Sequence, residues 1–419
     1  MQYHQPSSTV FKKLLPLFIA ALLLAVLVII LLNYTHNAHV AGTSKLSLSL
    51  KHSSTIQTTR CGAWNVVSSS NADRGDNLLK SVAVLSAKNV WAVGAYISSS
   101  TGRNQALIEH WNGTSWTVIS SPSPNASDTV LSGVAALTTS NVWAVGEYTN
   151  GSNSLTLVEH WDGHLWSIIP SPNPGSVRSE LLGVAAVSVS NIWAVGWVDT
   201  NYNGAYHTQT LIEHWNGRSW SVVPGISLAQ DAALNAVTAI SANNVWIVGN
   251  TYAASKTTTT LIEHWNGTSW SIVSSPNGST GINSLYGVAK FSASNIWAVG
   301  MYNSNSIYPQ ALIEHWNGTS WKVVSGPNVG TNDILYGVTA ISASNVWAVG
   351  YYNTPNDPQT LVEHWNGTSW SIVSSPNVSS ALNILYAVAK VSNTNNVWAA
   401  GNANGSVNTP SQTLIEFYC

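Results

Sequence analysis

A segment of about 50 residues recurs down most of this 419-residue chain, and self-similarity at such a period decides the fold class before any domain count can be made. Its anchor, Asn-Val/Ile-Trp, falls at Asn89, Asn141, Asn191, Asn244, Asn295, Asn345 and Asn396. Each repeat holds four short apolar segments. In the sixth they are Leu335 to Ile341, Asn345 to Tyr351, Thr360 to Trp365 and Trp370 to Val373, rich in β-branched and aromatic residues and bounded by Gly, Asn, Ser or Pro. None carries a helical period of useful length. Asn366-Gly367, between the third and fourth, signals a tight hairpin. The expected fold is therefore all-β: a β-propeller of four-stranded antiparallel blades, one per repeat, seven in all.

The hairpin sequence LIEHWNGTSW, as at Leu261 to Trp270, is nearly unchanged in six repeats, whereas the seventh stops at Leu414 to Cys419. The missing strand sits at the other end, where Trp64 to Asn71 matches Trp370 to Asn377, so the last blade is expected to be closed by an N-terminal strand. The overlay puts Cys419 at the Asn of the turn and Cys61 at the Gly. These are the two cysteines of the chain, and the register predicts a disulfide between them.

The propeller is expected to span 61–419. Ahead of it, 1–13 reads as a short cytoplasmic N-terminus, 14–32 as a transmembrane helix and 33–60 as a Ser/Thr-rich stalk. Leu14 to Leu32 is uncharged and follows Lys12-Lys13, which orients the remainder of the chain to the outside. The expected address is the cell membrane, single-pass, with an extracellular propeller; secretion after signal cleavage near His39-Val40-Ala41 is the alternative. Charged residues are 8% of the chain and net charge is -2, which argues against nucleic acid as a partner. No metal or cofactor is expected, because no phosphate loop, nucleophilic serine motif or cysteine metal site occurs.

Turns from strand one to two and from three to four hardly vary; those from two to three and from four to the next repeat do. Variable loops on a rigid scaffold are where binding usually sits. That face carries the candidate ligand-binding residues Tyr96, Tyr148, Trp197, Tyr202, Tyr206, Tyr252, Tyr302, Tyr308, Tyr351 and Tyr352 among small polar residues, a mixture suited to a glycan or a cell-surface protein. The tyrosines merely capping strand ends is the bland alternative. Ser81, Gly133, Gly183, Ala236, Gly287, Gly337 and Ala387 share one position on the first strands, where convergence leaves no room for bulk. Glu-His-Trp recurs six times, but neighbours on a strand point to opposite faces, so no copy forms a dyad. The expectation is a ring of hydrogen bonds from the His of one blade to the Glu of the next, broken at Phe417. The recurrent tryptophans, as at Trp347, Trp365 and Trp370, read as interblade core.

The Ile-Glu-His-Trp-Asn-Gly-Thr-Ser-Trp hairpin resembles the Asp-box hairpin of sialidase-like and photosystem II assembly-factor-like propellers, with Asn in place of Asp except at Asp162. Asn-Val-Trp-Ala-Val-Gly is similar to the second strand of the assembly-factor-like group. Tectonin-type lectin propellers are a looser match. The repeat looks most like those of secreted or membrane-anchored bacterial propellers with Trp-Ala-Val-Gly blades, which implies a fold and an address but no activity. A sialidase arginine triad cannot be assembled from Arg74, Arg103, Arg178 and Arg218. The expected function is thus non-catalytic recognition. The alternatives are an envelope scaffold or assembly factor, and a glycoside hydrolase or lyase using Glu147, Asp199, Asp231, Asp333 or Asp357 at the channel mouth.

Overall fold

The computed structural model describes residues 61–419 apart from 123, 125–127, 176, 203–204, 305–307, 356 and 407–408. The expected anchor, its cytoplasmic flank and the stalk lie outside the described residues. No helix among the described residues is long and apolar enough to cross a membrane. Apart from Tyr202–Tyr206, the described residues form one compact body.

Among the described residues the fold is all-β, with 28 strands, β1 to β28 in chain order. They make six sheets, five of four strands and one of eight. The sixth repeat shows the plan: β22 (Thr331–Ser342), β23 (Asn345–Asn353), β24 (Pro358–Trp365) and β25 (Trp370–Ile372) pair antiparallel in sequence order. The eight-stranded sheet is two such sets, joined by one parallel bridge, Arg178 to Ser154, between β10 (Arg178–Ser188) and β8 (Asn153–Trp161). Every hairpin of the Asn-Gly type turns the same way. Asn366 Oδ1 accepts from the Thr368 N–H, the Thr368 hydroxyl and the Ser369 N–H, and Gly367 takes φ 99°, a conformation costly for any residue with a Cβ. The turn thus spans four residues between paired tryptophans.

The remaining sheet is assembled from both ends of the described chain. β26 (Leu382–Lys390), β27 (Val397–Asn404) and β28 (Gln412–Tyr418) are completed by β1 (Trp64–Val66), with Trp64 opposite Tyr418 just as Trp370 lies opposite Trp365. Cys61 and Cys419 occupy the Gly and Asn places of the turn. They are disulfide-bonded, Cα atoms 4.6 Å apart, across 358 residues of sequence.

Successive repeats pack face to face. First strands β2 (Asn77–Ser86), β6 (Thr129–Thr138), β10, β14 (Asp231–Ser241), β18 (Ile282–Ser292), β22 and β26 each touch the next, and β26 returns to β2. Their backbones are in near van der Waals contact: a Cβ on Gly337 would lie 2.9 Å from Ala387 Cα, and one on Gly287 2.6 Å from the Tyr336 carbonyl oxygen. Close backbone approach is therefore what keeps that position small. Farther out, each interface is sealed by aromatics. Trp297 stacks on His315 of its own repeat at 4.2 Å and meets Trp365 and Trp370 of the next at 5.1 and 5.3 Å. Such pairs contribute about 0.5–1.5 kcal/mol each beyond their buried area. At the seam the same ladder uses substitutes, Phe417 beside Trp398 and Tyr418 beside Trp347.

The Glu-His expectation is corrected. Glu109, Glu159, Glu213, Glu263, Glu314, Glu363 and Glu416 are all fully buried, and in four of them the cross-repeat partner is a serine rather than a histidine, while Ser69, in the same place before Glu109, pairs with Thr413 instead. The Ser121 hydroxyl donates to Glu159 (2.8 Å), Ser171 to Glu213 (2.5 Å), Ser275 to Glu314 (2.6 Å) and Ser375 to Glu416 (2.5 Å). Each serine follows the fourth strand of the preceding repeat. Glycine stands in that place as Gly225 and Gly326, and Glu263 and Glu363 have no hydrogen-bond partner among the described residues. Four of the histidines, His110, His214, His264 and His364, turn the other way, to the Asn that opens their own repeat's second strand, as His364 to Asn345 at 3.0 Å. Burial lowers the His364 pKa and pushes Glu363 and Glu416 up to about 8, so these groups are mostly neutral near pH 7, while Glu159, Glu213 and Glu263, raised to about 7, titrate there.

Candidate functional site

The candidate site forms where the first and second strands of the repeats begin and end on the variable-loop face. Two local devices aim its side chains. The first is a β-bulge in every first strand, as between Leu79 and Ser81, Leu285 and Gly287, or Leu385 and Ala387. The extra residue is left out of the ladder and re-aimed. Those extra residues are Lys80, Ser132, Leu182, Asn235, Tyr286, Tyr336 and Tyr386. The second is strand alternation after the Trp-Ala-Val-Gly motif. Residues one place beyond its Gly are Glu147, Trp197, Asn250, Met301, Tyr351 and their equivalents; the next place holds Tyr96, Tyr148, Tyr302 and Tyr352.

This alternation divides the sequence-predicted residues. Tyr96, Tyr148, Tyr302 and Tyr352 pack against the cores between repeats, and the Tyr302 hydroxyl donates to Gln310 Oε1. Tyr206 and Tyr308 are exposed. Tyr202 is the last residue of its strand, Asn191–Tyr202. Trp197, Tyr252 and Tyr351 join the bulge residues. Three bulge residues, Tyr286, Tyr336 and Tyr386, stack in series at 5.4 and 5.2 Å, with Tyr351 against Tyr336 at 6.0 Å. Burial raises all four phenol pKa values, so the arc is uncharged at any physiological pH. Tyr252 adjoins it, its phenol also raised by burial, and Asn235 continues the line by donating to the Leu285 carbonyl (2.7 Å) and to Asn250 Oδ1 (3.3 Å).

The other arc is charged. Arg178 lies over the Trp197 ring at 5.4 Å, and Glu180 is paired in register with Trp197. Burial, reinforced by the neighbouring Glu147 carboxylate, pushes Glu180 up to about 8 against the opposing pull of Lys80 and Arg178. The Lys80 ammonium reaches Ser132 Oγ at 3.4 Å, and Ser154 donates to Glu147. Of the other acids singled out from sequence, Asp199 accepts from the Thr208 hydroxyl (2.8 Å) and Asp231 pairs with His207 (3.2 Å). Asp333 is consumed locally, accepting from the Val329 and Gly330 N–H groups of its own loop, and the Asp357 N–H donates to Thr354. No cluster of metal-ligating side chains is found among the described residues. Lys80, Arg178, Glu180, Tyr286, Tyr336 and Tyr386 were not among the site residues expected from sequence. Their signal is the one position, directly before the small residue, that varies freely inside an otherwise repeated Leu-x-Gly-Val stretch.

The sequence matches no protein-family model and no curated protein. Solved structures do match. YCF48 bound to a D1 peptide aligns with a TM-score of 0.52 at 13% identity, over 85% of this chain and 97% of that one. YCF48 from Cyanidioschyzon merolae gives 0.51 at 14%, over 85% and 98%. The GH74 xyloglucanase from Xanthomonas campestris gives 0.54 at 12%, over 84% of this chain and 55% of the enzyme. The fold is a β-propeller. Identities this low extend the likeness to architecture alone.

Proposed function

We propose that the chain is a seven-bladed propeller, carried outside the cell on its N-terminal apolar segment, which binds a glycan or a segment of another protein at the loop-face mouth and performs no chemistry there. The blade count is supported by the closed circuit of first strands from β2 to β26 and back. The binding reading rests on one observation: at the bulge, where the repeats converge, seven copies of one position have become Lys, Ser, Leu, Asn, Tyr, Tyr and Tyr. A scaffold needs only identical units. Unlike residues at a point of convergence offer a ligand an apolar aromatic side for stacking and a polar side for orientation. YCF48, which shares the architecture, is seen with a D1 peptide, and this makes extended peptides one class to test beside glycans.

The test is a binding screen of the full-length protein against immobilised glycans and peptides, comparing wild type with Tyr336→Ala/Tyr386→Ala and with Arg178→Ala. Binding that both variants lose while their melting curves are kept is the expected result; binding untouched by either removes the mouth as the site.

A second reading draws on Glu180 and Glu147. One carboxyl held protonated near neutrality beside another is the arrangement used for acid-base cleavage of glycosidic bonds. Turnover of a polysaccharide that Glu180→Gln abolishes would replace the non-catalytic reading with this one.

A further inference from the structure

The opposite end of the first strands carries a second, unrelated cluster. Four residues beyond Tyr286 and Tyr386, about 13 Å along an extended strand, stand Lys290 and Lys390; the equivalent places elsewhere are Val84, Ala136, Ala186, Ala239 and Ala340. Two lysines in a position otherwise filled by Ala or Val are a departure that packing does not explain. Both are half-buried. Each ammonium donates to one carbonyl of the preceding repeat, Lys290 to Ala239 and Lys390 to Ala340 (2.6 Å). That leaves two N–H donors on each. Neither has a carboxylate partner among the described residues, and burial lowers the pKa of both, with the Lys390 charge adding to it at Lys290.

A second observation falls at the same place. The turn from strand one to two is two residues long elsewhere, with Ser342 paired to Asn345, but in the last repeat Lys390 pairs with Val397 and the link between them is longer. That link borders an open depression of about 440 Å³ lined by Lys390, Ser392, Asn393, Thr394 and Asn395, with Ile341 and Val391. Asn393 takes φ 61°, outside the conformations most side chains prefer, to shape it. Hydroxyl and amide donors therefore sit beside an ammonium that lacks a counter-charge.

We propose that the Lys390 end of the last repeat's first strand binds a compact oxyanion, a sulfate, phosphate or carboxylate group, held by the Lys390 ammonium and by the polar side chains of the 391–396 link, with Lys290, two repeats away, adding positive charge from a distance. This is a site separate from the loop-face mouth and does not depend on the function assigned to it. The oxyanion is either a free ion or a group on an acidic polysaccharide, and both supply the same contacts.

Calorimetric titration of the full-length protein with sodium sulfate, sodium phosphate and dextran sulfate, at constant ionic strength set with chloride, separates the cases. The expected result is binding that weakens at least about tenfold in Lys390→Gln, consistent with loss of a charge-assisted contact, weakens less in Lys290→Gln and disappears in the double variant. Lys290→Arg/Lys390→Arg keeps it. Lysine-dependent binding of sulfate or phosphate identifies a free ion, and lysine-dependent binding of dextran sulfate alone identifies a polymer-borne group. Equal affinity in the double Gln variant, or no binding of any of the three by wild type, overturns the proposal. Should the Gln variants fail to fold, crystals of wild type soaked in selenate decide it: an anomalous peak within hydrogen-bond reach of Lys390 Nζ supports the site, and selenate bound only elsewhere refutes it.

Discussion

Replacing both cysteines by serine tests what the split hairpin contributes. The bond closes a loop of 358 residues, the separation of Cys61 and Cys419. For that length the chain-entropy relation gives about 20 cal/mol/K, or about 6 kcal/mol at 25 °C, taken from the unfolded chain. Unfolding entropy of about 2.1 cal/mol/K per residue, over about 360 residues, comes to about 0.75 kcal/mol/K, so the loss corresponds to a fall in Tm of about 8 °C. The native contacts change little, because β1 keeps its pairs with β28 and Trp64 keeps its edge contact with Trp347 at 5.5 Å. Scanning calorimetry on oxidised wild type, reduced wild type and Cys61→Ser/Cys419→Ser measures the effect, with the bond in wild type checked by mass spectrometry. Reduced wild type and the double variant should melt together, well below the oxidised protein. If the double variant melts within about 2 °C of oxidised wild type, cross-linking of the unfolded chain is not what the bond supplies and the entropic argument fails.

Further outcomes follow from the packing. Gly337→Val places a branched side chain where a Cβ alone would lie 2.9 Å from Ala387 Cα, and should cost about 1–3 kcal/mol or prevent folding, read by urea unfolding. Trp297→Ala empties the centre of one aromatic interface and should cost about 3–5 kcal/mol by the same measurement. Glu363 has no serine partner and its pKa is raised from 4.5 to about 8; its unfolded form gives up a proton above pH 4.5 that the folded form keeps. Stability should therefore fall as pH rises from about 4.5 to about 8 and then level off, and Glu363→Gln should remove a penalty on the order of 4 kcal/mol at pH 8.5 that vanishes toward pH 4.5. Glu416→Gln leaves the Ser375 hydroxyl an acceptor and should follow the same trend, in unfolding curves taken across that range.

The sequence was most legible where strict repetition meets a steric rule. A period of about 50 residues, the unmatched Trp64 to Asn71 segment and the placement of Cys61 and Cys419 leave one way to complete the last sheet. The small residues from Ser81 to Ala387 were equally plain, since only backbone contact demands them. The site was harder to read for two physical reasons. A bulge inserts a residue into the period-two count, so alternation carried through Leu79 assigns Lys80 and every residue after it to the wrong face. And a tyrosine one place farther along a second strand, Tyr352 rather than Tyr351, belongs to the interface core and not to the mouth. The Glu partners were missed because the donor is a serine in the irregular stretch after the fourth strand, where no period exists to point at it.

Six of the Asn-Gly type turns are nearly interchangeable, and so are the aromatic interfaces they flank; any repeat carries much the same surface as any other. A ring of alike segments stores no local record of how many have been laid down, or of whether the next partner belongs to the same molecule. The seam supplies that record. Phe417, Tyr418 and the two cysteines occur in this one hairpin, so the thiols meet only when the first and last repeats of the folded chain are brought together. Oxidation then becomes a proofreading step: a molecule that has skipped a repeat, or lent its β1 to a neighbour, is marked by free thiols or by an intermolecular bond, and a non-reducing gel can count such errors directly.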